Sequence, residues 1–238
     1  MDGYGADQIR AAERPHLDAG EPLMARAAVG LARIVGDLLD EVAVTADDGP
    51  GAVLLLVGSG DNGGDALFAG ATLAEEGRHV EVLRTGSRVH DAGLAAATAA
   101  GAVLLDDIGD ADASRTATVT TDAALRADLV LDAVLGIGRT GSLALRSPAR
   151  EAVGAIRELA RDQRAPFVVA VDVPSGIDPD TGAVADDHVL QADVTVTFGG
   201  VKAGLLRGPG RALAGRIELV DVGIGEDLAA VEPLVTEP

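Results

Sequence analysis

Residues 52–70 read AVLLLVGSGDNGGDALFAG, and this stretch decides the fold. The apolar run 52–57 is typical of a strand that is buried on both faces of a sheet. A turn with four glycines follows it directly, and the residues from Asp65 onward predict a helix that ends at Gly77. A strand, a glycine turn and a helix in this order usually hold a phosphate. This turn, however, carries the acids Asp61 and Asp65 and no Lys or Arg.

The alternation of strands and helices continues along the chain. The sequence predicts further strands at 79–83, 102–105, 127–134, 166–172, 192–198 and 216–220, and helices at 23–42, 92–101 and 149–162. Such alternation favours right-handed crossovers and a mostly parallel sheet that is covered on both faces. We therefore expect a single domain over residues 1–238, with a three-layer αβα Rossmann-like fold and a mostly parallel central sheet. An N-terminal helical segment precedes it, in which Pro15 and the GEP at 20–22 separate a short helix from the long one.

The composition excludes several classes of protein. The chain has 238 residues, of which 38 are acidic and 19 are Lys or Arg, so its formal net charge is −19. Nucleic acid and anionic membranes would repel such a chain, and neither is expected as a partner. The absence of Cys excludes disulfides, zinc–thiolate sites and cysteine nucleophiles. With no signal peptide and no apolar run close to the roughly 18 residues of a membrane helix, we expect a cytoplasmic protein.

Glycine-rich or polar loops follow four of the predicted strands. In sheets of this type, ligands bind beyond the carboxyl ends of the strands, near the switch in strand order. Loops at the ends of parallel strands should therefore meet at one edge, and their clustering predicts a binding site. The four loops are GSGDNGGD (58–65), LGIGRTG (135–141), VPSGID (173–178) and GGVKAG (199–204). The acidic stretch 106–112 and the tail 232–238 are predicted to be solvated surface.

The glycine turn alone leaves several interpretations open. Gly58, Gly60 and Gly63 satisfy the G-x-G-x-x-G dinucleotide pattern, but the next strand ends at Arg84 and not at an acid that would hold a ribose. An ATP-type P-loop is excluded, because no Lys-Ser or Lys-Thr follows the glycines. A tight turn with close packing of the helix explains the glycines equally well.

The two acids of the turn are more informative than its glycines. Asp65 fits the start of a helix, where negative charge is favoured, whereas Asp61 has no such explanation. A metal cation or a polar sugar between the acids and an anionic ligand would account for both. Hard cations take carboxylate, carbonyl and hydroxyl oxygens. Asp132 and Ser175, at the ends of two other strands, offer oxygens of this kind.

Two residues are candidates for proton transfer. Asp172 ends an apolar strand just before Pro174, and burial there would raise its pKa and suit it to act as a general acid or base. A hydrogen bond from the turn at 175–176 would explain the same acid structurally. Lys202 is the only lysine in the sequence and lies in a glycine-rich loop on the same edge, where Lys can supply charge. A solvated surface residue is its default interpretation.

Together, the four loops resemble those of the YjeF N-terminal domain family, the NAD(P)H-hydrate epimerases. The family's first loop reads roughly GxGNNGGDG, and this chain has GSGDNGGDA at 58–66. The family's vDAxxGxGxxG appears as LDAVLGIGRTG at 131–141, and its DxPSGxdxdtG as DVPSGIDPDTG at 172–182. Its TvTF segment with Lys-x-Gly appears as TVTFGGVKAG at 195–204. The resemblance spans nearly the whole chain, since its opening segment is also similar.

The resemblance implies an activity in cofactor repair. NADH and NADPH slowly add water across a ring double bond, which gives two epimeric hydrates, and an ATP- or ADP-dependent dehydratase restores only one of them. The epimerase interconverts the two. The implied substrate is therefore hydrated NADH or NADPH, and the implied functional partner is a separate NAD(P)H-hydrate dehydratase. We expect this chain not to dehydrate the hydrate itself, since that domain would need a few hundred more residues. The family also implies a homodimer.

The resemblance implies roles for individual residues as well. It places a potassium ion on Asn62, Asp132 and Ser175. Asp172 is the candidate catalytic acid/base, and Lys202 is the supporting charge. The pyrophosphate is expected at the backbone N–H groups of 136–141, beside Arg139. The residues implied to bind the substrate are Asp61, Asn62, Gly63, Gly64, Asp65, Gly136, Ile137, Gly138, Arg139, Thr140, Gly141, Ser142 and Asp172.

Two residues depart from the family pattern, and two other functions stay open. Asp61 replaces the family's first Asn and adds a charge, while Ala66 replaces a Gly and would bring a methyl group near the ligand in a tight loop. One alternative is a catalytically inactive binding or scaffold module, which the presence of Asn62 and Asp172 disfavours. The other is an ordinary NAD(P)-dependent oxidoreductase, for which the sequence offers no Tyr-Lys or His site.

Overall fold

The computed structural model describes residues 1–43, 51–105, 113–138 and 141–237. These residues form two sheets flanked by helices. The strands are β1 (Asp2–Tyr4), β2 (Ala52–Val57), β3 (His79–Arg84), β4 (Val103–Leu104), β5 (Leu129–Ala133), β6 (Phe167–Val171), β7 (Val194–Phe198), β8 (Val201–Lys202), β9 (Arg216–Val220) and β10 (Val235–Thr236). The helices are α1 (Ala6–Asp18), α2 (Leu23–Ala43), α3 (Asp61–Glu75), α4 (Asp91–Ala99), α5 (Ala113–Ala124), α6 (Ala149–Arg161), α7 (Gly208–Leu213) and α8 (Gly225–Ala229).

The central sheet has seven strands in the order β4-β3-β2-β5-β6-β7-β9. All neighbouring pairs in it are parallel, which confirms the predicted α/β fold. From β2 the chain moves outward to β3 and β4, and it then returns to the other side of β2 to form β5. The direction of strand addition therefore reverses between β2 and β5. Loops after these two strands border the crevice in which such sheets bind ligands.

Two apolar cores, one on each face of the sheet, produce the three predicted layers. Successive side chains of a strand point to opposite faces, so Leu55 packs in one core and Leu54 in the other. The core around Leu55 includes residues of α2 and α3, such as Leu31 and Leu67. The core around Leu54 includes residues of α6, such as Ile156. Because β2 is buried on both faces, its sequence is a continuous apolar run and not an alternating one.

The N-terminal helices differ from the prediction in one respect. Helix α1 continues through Pro15 to Asp18, so the predicted break at Pro15 is wrong, and only the segment at 20–22 separates the two helices. Pro15 lies in the last turn of α1, so the hydrogen bond that it removes is close to the end of the helix. The long helix predicted at 23–42 corresponds to α2, in which Leu31, Val35 and Leu38, at helical spacing, are buried. None of the described helices has the length and apolar character needed to span a bilayer.

A small second sheet, which the sequence did not predict, joins the two ends of the chain. Strand β1 lies between β10, which is antiparallel to it, and β8, which is parallel to it. The tail predicted as solvated surface therefore contributes β10, whereas the stretch 106–112 lies outside the described residues. In this sheet Tyr4 is the register partner of Lys202. The pairing fixes the backbone of Lys202 next to the carboxyl ends of the central strands.

Candidate active site

The glycine turn forms the start of α3. The helix begins at Asp61, after the extended residue Gly60, which is four residues earlier than predicted. Asp61 is thus the first residue of the helix and is exposed, a position that the helix dipole favours for an acid. The expectation that Asp61 lacks a structural explanation is therefore wrong. Asp65 lies one turn later and is 6% exposed, so it is the acid that needs another explanation.

Two glycines allow the loops after β2 and β5 to touch. A methyl carbon built on Gly58 would lie 1.9 Å from the carbonyl oxygen of Val134, and one built on Gly136 would lie 2.1 Å from Oδ1 of Asn62. Both distances are far inside van der Waals contact, so any larger residue would push the loops apart. The glycines therefore bring the side chain of Asn62 against the end of β5.

The ends of the central strands enclose a cavity of about 840 Å³. It contains residues from all four strand ends that the sequence singled out. The predicted residues that line it are Asp61, Asn62, Asp65, Gly136, Ile137, Gly138, Asp172 and Lys202. Of the other predicted substrate-binding residues, Gly63, Gly64, Gly141 and Ser142 do not line the cavity, while Arg139 and Thr140 lie outside the described residues.

Asp172 and Lys202 form a buried ion pair at the cavity. Their residues are 3% and 1% exposed, and the Lys202 ammonium donates to Oδ1 of Asp172 and, at 2.8 Å, to the carbonyl of Phe198. The hydroxyl of Thr197 donates to the same Oδ1 at 3.2 Å, and the backbone N–H of Phe198 approaches it at 3.4 Å. Lys202 is therefore not the solvated surface residue of the default interpretation. It tolerates burial because its charge is paired and hydrogen-bonded.

The backbone of Asp172 has an uncommon conformation. Its φ is 68°, in the left-handed region that few residues other than Gly occupy. Its N–H donates to the carbonyl of Val196 at 2.7 Å, and the carboxylate bonds to residues of β7 and β8. The alternative interpretation, an acid bonded to the turn at 175–176, is not what the structure has. Strained backbone of this kind is concentrated at functional sites.

Asp65 has a different environment from Asp172. No described residue donates a hydrogen bond to its carboxyl group, although the group is buried and lines the cavity. Burial is the main cause that raises the pKa of Asp65 to about 8; the negative charges of Asp172 and Asp61 contribute to this rise, and Lys202 acts in the opposite direction. At pH 7 this carboxyl group is mostly protonated.

The three residues implied to hold potassium lie together beneath the loops. Asp132 is fully buried and its Oδ2 accepts a hydrogen bond from the N–H of Ser175 at 2.9 Å. The hydroxyl of Ser175 accepts from the N–H of Leu135 at 2.8 Å. Asn62 donates to the carbonyl of Val171 at 2.6 Å, which leaves its Oδ1 on the side of Gly136.

The chemistry of this cluster fits a bound cation. Burial raises the pKa of Asp132, and hydrogen bonds from Ser175 and Val134 act in the opposite direction. No cationic side chain in the described part of the chain contributes to that balance. A buried carboxylate beside amide and hydroxyl oxygens is a donor set that hard cations prefer.

Several cavity residues were not predicted from the sequence. From α1 they are Arg10, Glu13, Arg14, Leu17 and Asp18, and from two later loops they are residues 85–88 and 145–147. Residues 85–88 follow β3 at the same sheet edge, so the strand-end argument would have found them. Residues of α1 carry no comparable signal. Ala66, which replaces a Gly of the family pattern, is fully buried in the apolar core and does not line the cavity. Its methyl group therefore does not reach the cavity, contrary to the expectation for a tight loop.

Comparison with known proteins identifies close relatives. Residues 20–204 match the family described as YjeF-related protein N-terminus. A protein of Clavibacter michiganensis named NAD(P)H-hydrate epimerase is 54% identical over 236 residues, which are 98% of this chain and 95% of that protein. A protein of the same name from Microbacterium testaceum is 50% identical over 233 residues, 98% of this chain and 83% of that protein.

Two further comparisons concern a longer relative and a solved structure. The Bifunctional NAD(P)H-hydrate repair enzyme Nnr of Mycobacterium tuberculosis is 42% identical over 237 residues, 97% of this chain and 43% of that protein. The crystal structure of yeast ynu0 has a TM-score of 0.68 at 20% identity and covers 86% of this chain and 83% of that one, so it shares the fold. The family match and the full-length relatives agree, and the chain belongs to the family of YjeF-related protein N-termini.

Proposed function

We infer that the protein is an NAD(P)H-hydrate epimerase, an isomerase that interconverts the R and S epimers of hydrated NADH and NADPH. Relatives that are 49–54% identical over nearly the whole chain carry this name. The observation in the structure that carries the inference is the buried pair of Asp172 and Lys202 at a cavity of about 840 Å³. A module that only binds its ligand would not need a charged pair buried from water beside that ligand.

The cavity also supplies the positive charge that a dinucleotide needs in an acidic chain. Arg10, Arg14, Arg88 and Arg146 line it together with Lys202. The lining also contains five acids, so the positive charge is local to the arginine side chains; these acids are Glu13, Asp18, Asp61, Asp65 and Asp172. Guanidinium groups bind phosphate oxygens with good geometry. We propose that these arginines hold the pyrophosphate at the mouth while the hydrated ring reaches Asp172, and the expected contact with Arg139 stays a prediction from the sequence.

Inversion of the hydroxylated ring carbon requires its configuration to be lost and restored. Both ring opening and loss of the hydroxyl group require a proton to be moved at that carbon's oxygen. We propose that Asp172 takes part in this proton transfer as an acid/base. Lys202 holds the carboxylate in position and supplies charge, while Thr197 and the N–H of Phe198 fix the same oxygen. The buried surroundings exclude bulk water from the pair.

We further propose that the cluster of Asn62, Asp132 and Ser175 holds potassium. The fit of its oxygens, described above, supports this assignment. A cation there would supply positive charge near the acidic start of α3. Calorimetric titration with KCl should give saturable binding that Asp132→Asn abolishes, and replacing potassium by tetramethylammonium should weaken substrate binding or slow turnover. Affinity and rate that are both unchanged without potassium would refute the assignment.

The expected partners remain proposals. The Mycobacterium tuberculosis relative is named as bifunctional and is longer than the region that matches this chain, which supports a separate dehydratase as the functional partner here. Homodimer formation and cytoplasmic location also remain predictions. Helix α2 is packed in the core along Leu31, Val35 and Leu38, so a dimer interface would use its opposite face.

A coupled assay tests the function. Purified protein is mixed with the epimer of hydrated NADH that the dehydratase does not use, in potassium buffer, with excess dehydratase and ATP. We expect NADH absorbance to recover at a rate proportional to the concentration of this protein. Recovery at the spontaneous rate, with no dependence on the protein, would leave the catalytically inactive binding module as the better explanation.

A further inference from the structure

The two buried carboxyl groups of the cavity have opposite environments. Oδ1 of Asp172 faces the Lys202 ammonium, the Thr197 hydroxyl and the N–H of Phe198. These donors stabilise a carboxylate. Asp65 is 6% exposed and receives no hydrogen bond from any described residue. A buried carboxyl group without donors is more stable as the neutral acid.

The charges that surround Asp65 favour the same form. Asp61 precedes it on α3, and Asp172, which follows β6, and Glu13 of α1 act on it electrostatically; all have the same sign as an ionised Asp65. The cation among its neighbours is Lys202, whose ammonium is already bound to Asp172.

His90 is another neighbour of this helix turn, and it adds no positive partner for the Asp65 carboxyl. His90, which precedes α4, packs against Gly64 and accepts a hydrogen bond from the N–H of Gly93 through Nδ1. A ring nitrogen that accepts a hydrogen bond carries no proton on that atom. Burial and neighbouring charge together raise the pKa of Asp65 to about 8.

The chemistry of the substrate requires both an acid and a base. In the dihydronicotinamide ring the double bond that takes up water is conjugated to the ring nitrogen, so the hydroxyl group is on the carbon next to that nitrogen. The nitrogen lone pair can expel this hydroxyl group, but only if a proton is delivered to its oxygen. Two carboxyl groups held in opposite protonation states in one site are a recurring solution to such a requirement.

We propose that Asp65 is the proton donor of the site and that Asp172 is the matching base, an assignment that rests on the proposed epimerase function. The Asp65 proton passes to the hydroxyl oxygen of the substrate, the carbon–oxygen bond breaks, and its electron pair leaves with the water formed. The nitrogen lone pair becomes the second bond of an iminium ion.

The second half of the reaction restores the hydrate with inverted configuration. A water molecule adds to the opposite face of the iminium carbon, the π electrons return to nitrogen, and the Asp172 carboxylate accepts the proton of the added water. Transfer of a proton from Asp172 to Asp65, directly or through water, resets the site. No oxidant or reductant is needed, and the atoms of the hydrate are conserved apart from exchange of its oxygen.

Substitution of Asp65 tests the proposal. Asp65→Asn keeps the size of the side chain and a neutral donor but removes the transferable proton. We expect kcat to fall by about 10² or more while KM changes by no more than about threefold. In the active wild type, kcat/KM should fall as pH rises through about 8, and the variant should lose this pH dependence. Asp162→Asn, which removes an exposed acid outside the cavity, should preserve both the rate and the pH profile.

A measurement that needs no turnover provides an independent check. Carbon-13 NMR of protein labelled at the Asp carboxyl carbons should contain one resonance that titrates near pH 8 and is missing from Asp65→Asn. A normal kcat in Asp65→Asn, or a rise in KM alone, would overturn the donor assignment, as would titration of Asp65 near pH 4. If the wild type is active and Asp65→Asn is equally active, only this proposal fails. If the wild type is inactive, this proposal and the epimerase function are both overturned.

Discussion

The ammonium of Lys202 is bonded to Oδ1 of Asp172, and the two residues are 1% and 3% exposed. The residues belong to different sheets: Lys202 lies in β8 of the small sheet, and Asp172 directly follows β6 of the central sheet. The small sheet, through the pairing of Tyr4 with Lys202, therefore has a direct part in building the site. A buried charge pair of this kind is sensitive to removal of either partner.

Loss of the Asp172 carboxylate should disable the chemistry. In Asp172→Asn we expect kcat to fall by at least about 10², the lower end for a positioned acid/base group. The coupled assay measures the rate, and circular dichroism verifies that the variant is folded. Near-normal turnover would show that another group moves the proton.

The ion pair should also appear in the stability of the fold. Lys202→Met leaves the Asp172 carboxylate buried without its cation and should destabilise the protein by about 3–5 kcal/mol. The double variant Asp172→Asn, Lys202→Met removes both charges and should be less destabilised than the sum of the single variants. Urea unfolding measures the three free energies. Additive effects would mean that the two charges do not interact in solution.

Gly136 should control the proposed potassium cluster. Gly136→Ala would place a methyl carbon 2.1 Å from Oδ1 of Asn62, so Asn62 has to move. We expect potassium affinity, measured by calorimetry, to fall by about tenfold or more, equivalent to about 1.4 kcal/mol. Gly154→Ala, at a helical position with no atom within 4 Å of the added carbon, is the control and should bind potassium normally. Unchanged affinity in Gly136→Ala would remove Asn62 from the cluster.

The protonation of Asp65 should make stability depend on pH. Its pKa is about 8 in the folded protein and near 3.9 in the unfolded chain, so between these values the folded state holds a proton that the unfolded state has lost. The contribution of Asp65 to stability is therefore fully present below about pH 4 and is lost as pH rises through about 8.

Removal of the titrating group should reverse this loss. Asp65→Asn should be more stable than wild type by a margin that grows from about pH 4 to about pH 8, and then stays level at a few kcal/mol. Thermal and urea unfolding across this range measure the margin. A constant difference between the two proteins would mean that Asp65 is ionised normally in the folded state.

The elements that the sequence predicts best are the buried parallel strands. Strands β2 and β9 have the predicted bounds, and for β2 the reason is that a short apolar run between Gly51 and Gly58 leaves little choice of structure. Helix α5 was missed because its sequence, rich in Thr, has low helix propensity. It forms because Thr116, Thr120 and Ala123 are buried, and the Thr120 hydroxyl bonds to the carbonyl of Thr116 at 2.8 Å.

The site was predictable where local sequence decides it. Parallel strands place their carboxyl ends at one edge, so the meeting of the four loops followed from the strand pattern. The burial of Lys202 was not predictable, because it depends on pairing with β1, about 200 residues away in the sequence. The separate environments of Asp61 and Asp65 likewise depended on where α3 begins.

The most direct test follows the two epimers themselves, without a dehydratase. Each purified epimer of hydrated NADH is incubated with catalytic amounts of the protein or of Asp172→Asn, and the epimer ratio is followed by chromatography. The account predicts that wild type brings both starting materials to the same final ratio far faster than the spontaneous reaction, and that the variant is at least about 10² slower. If the epimer ratio changes no faster with wild type than in the protein-free control, whichever epimer is the starting material, the assignment of epimerase activity to this cavity is contradicted.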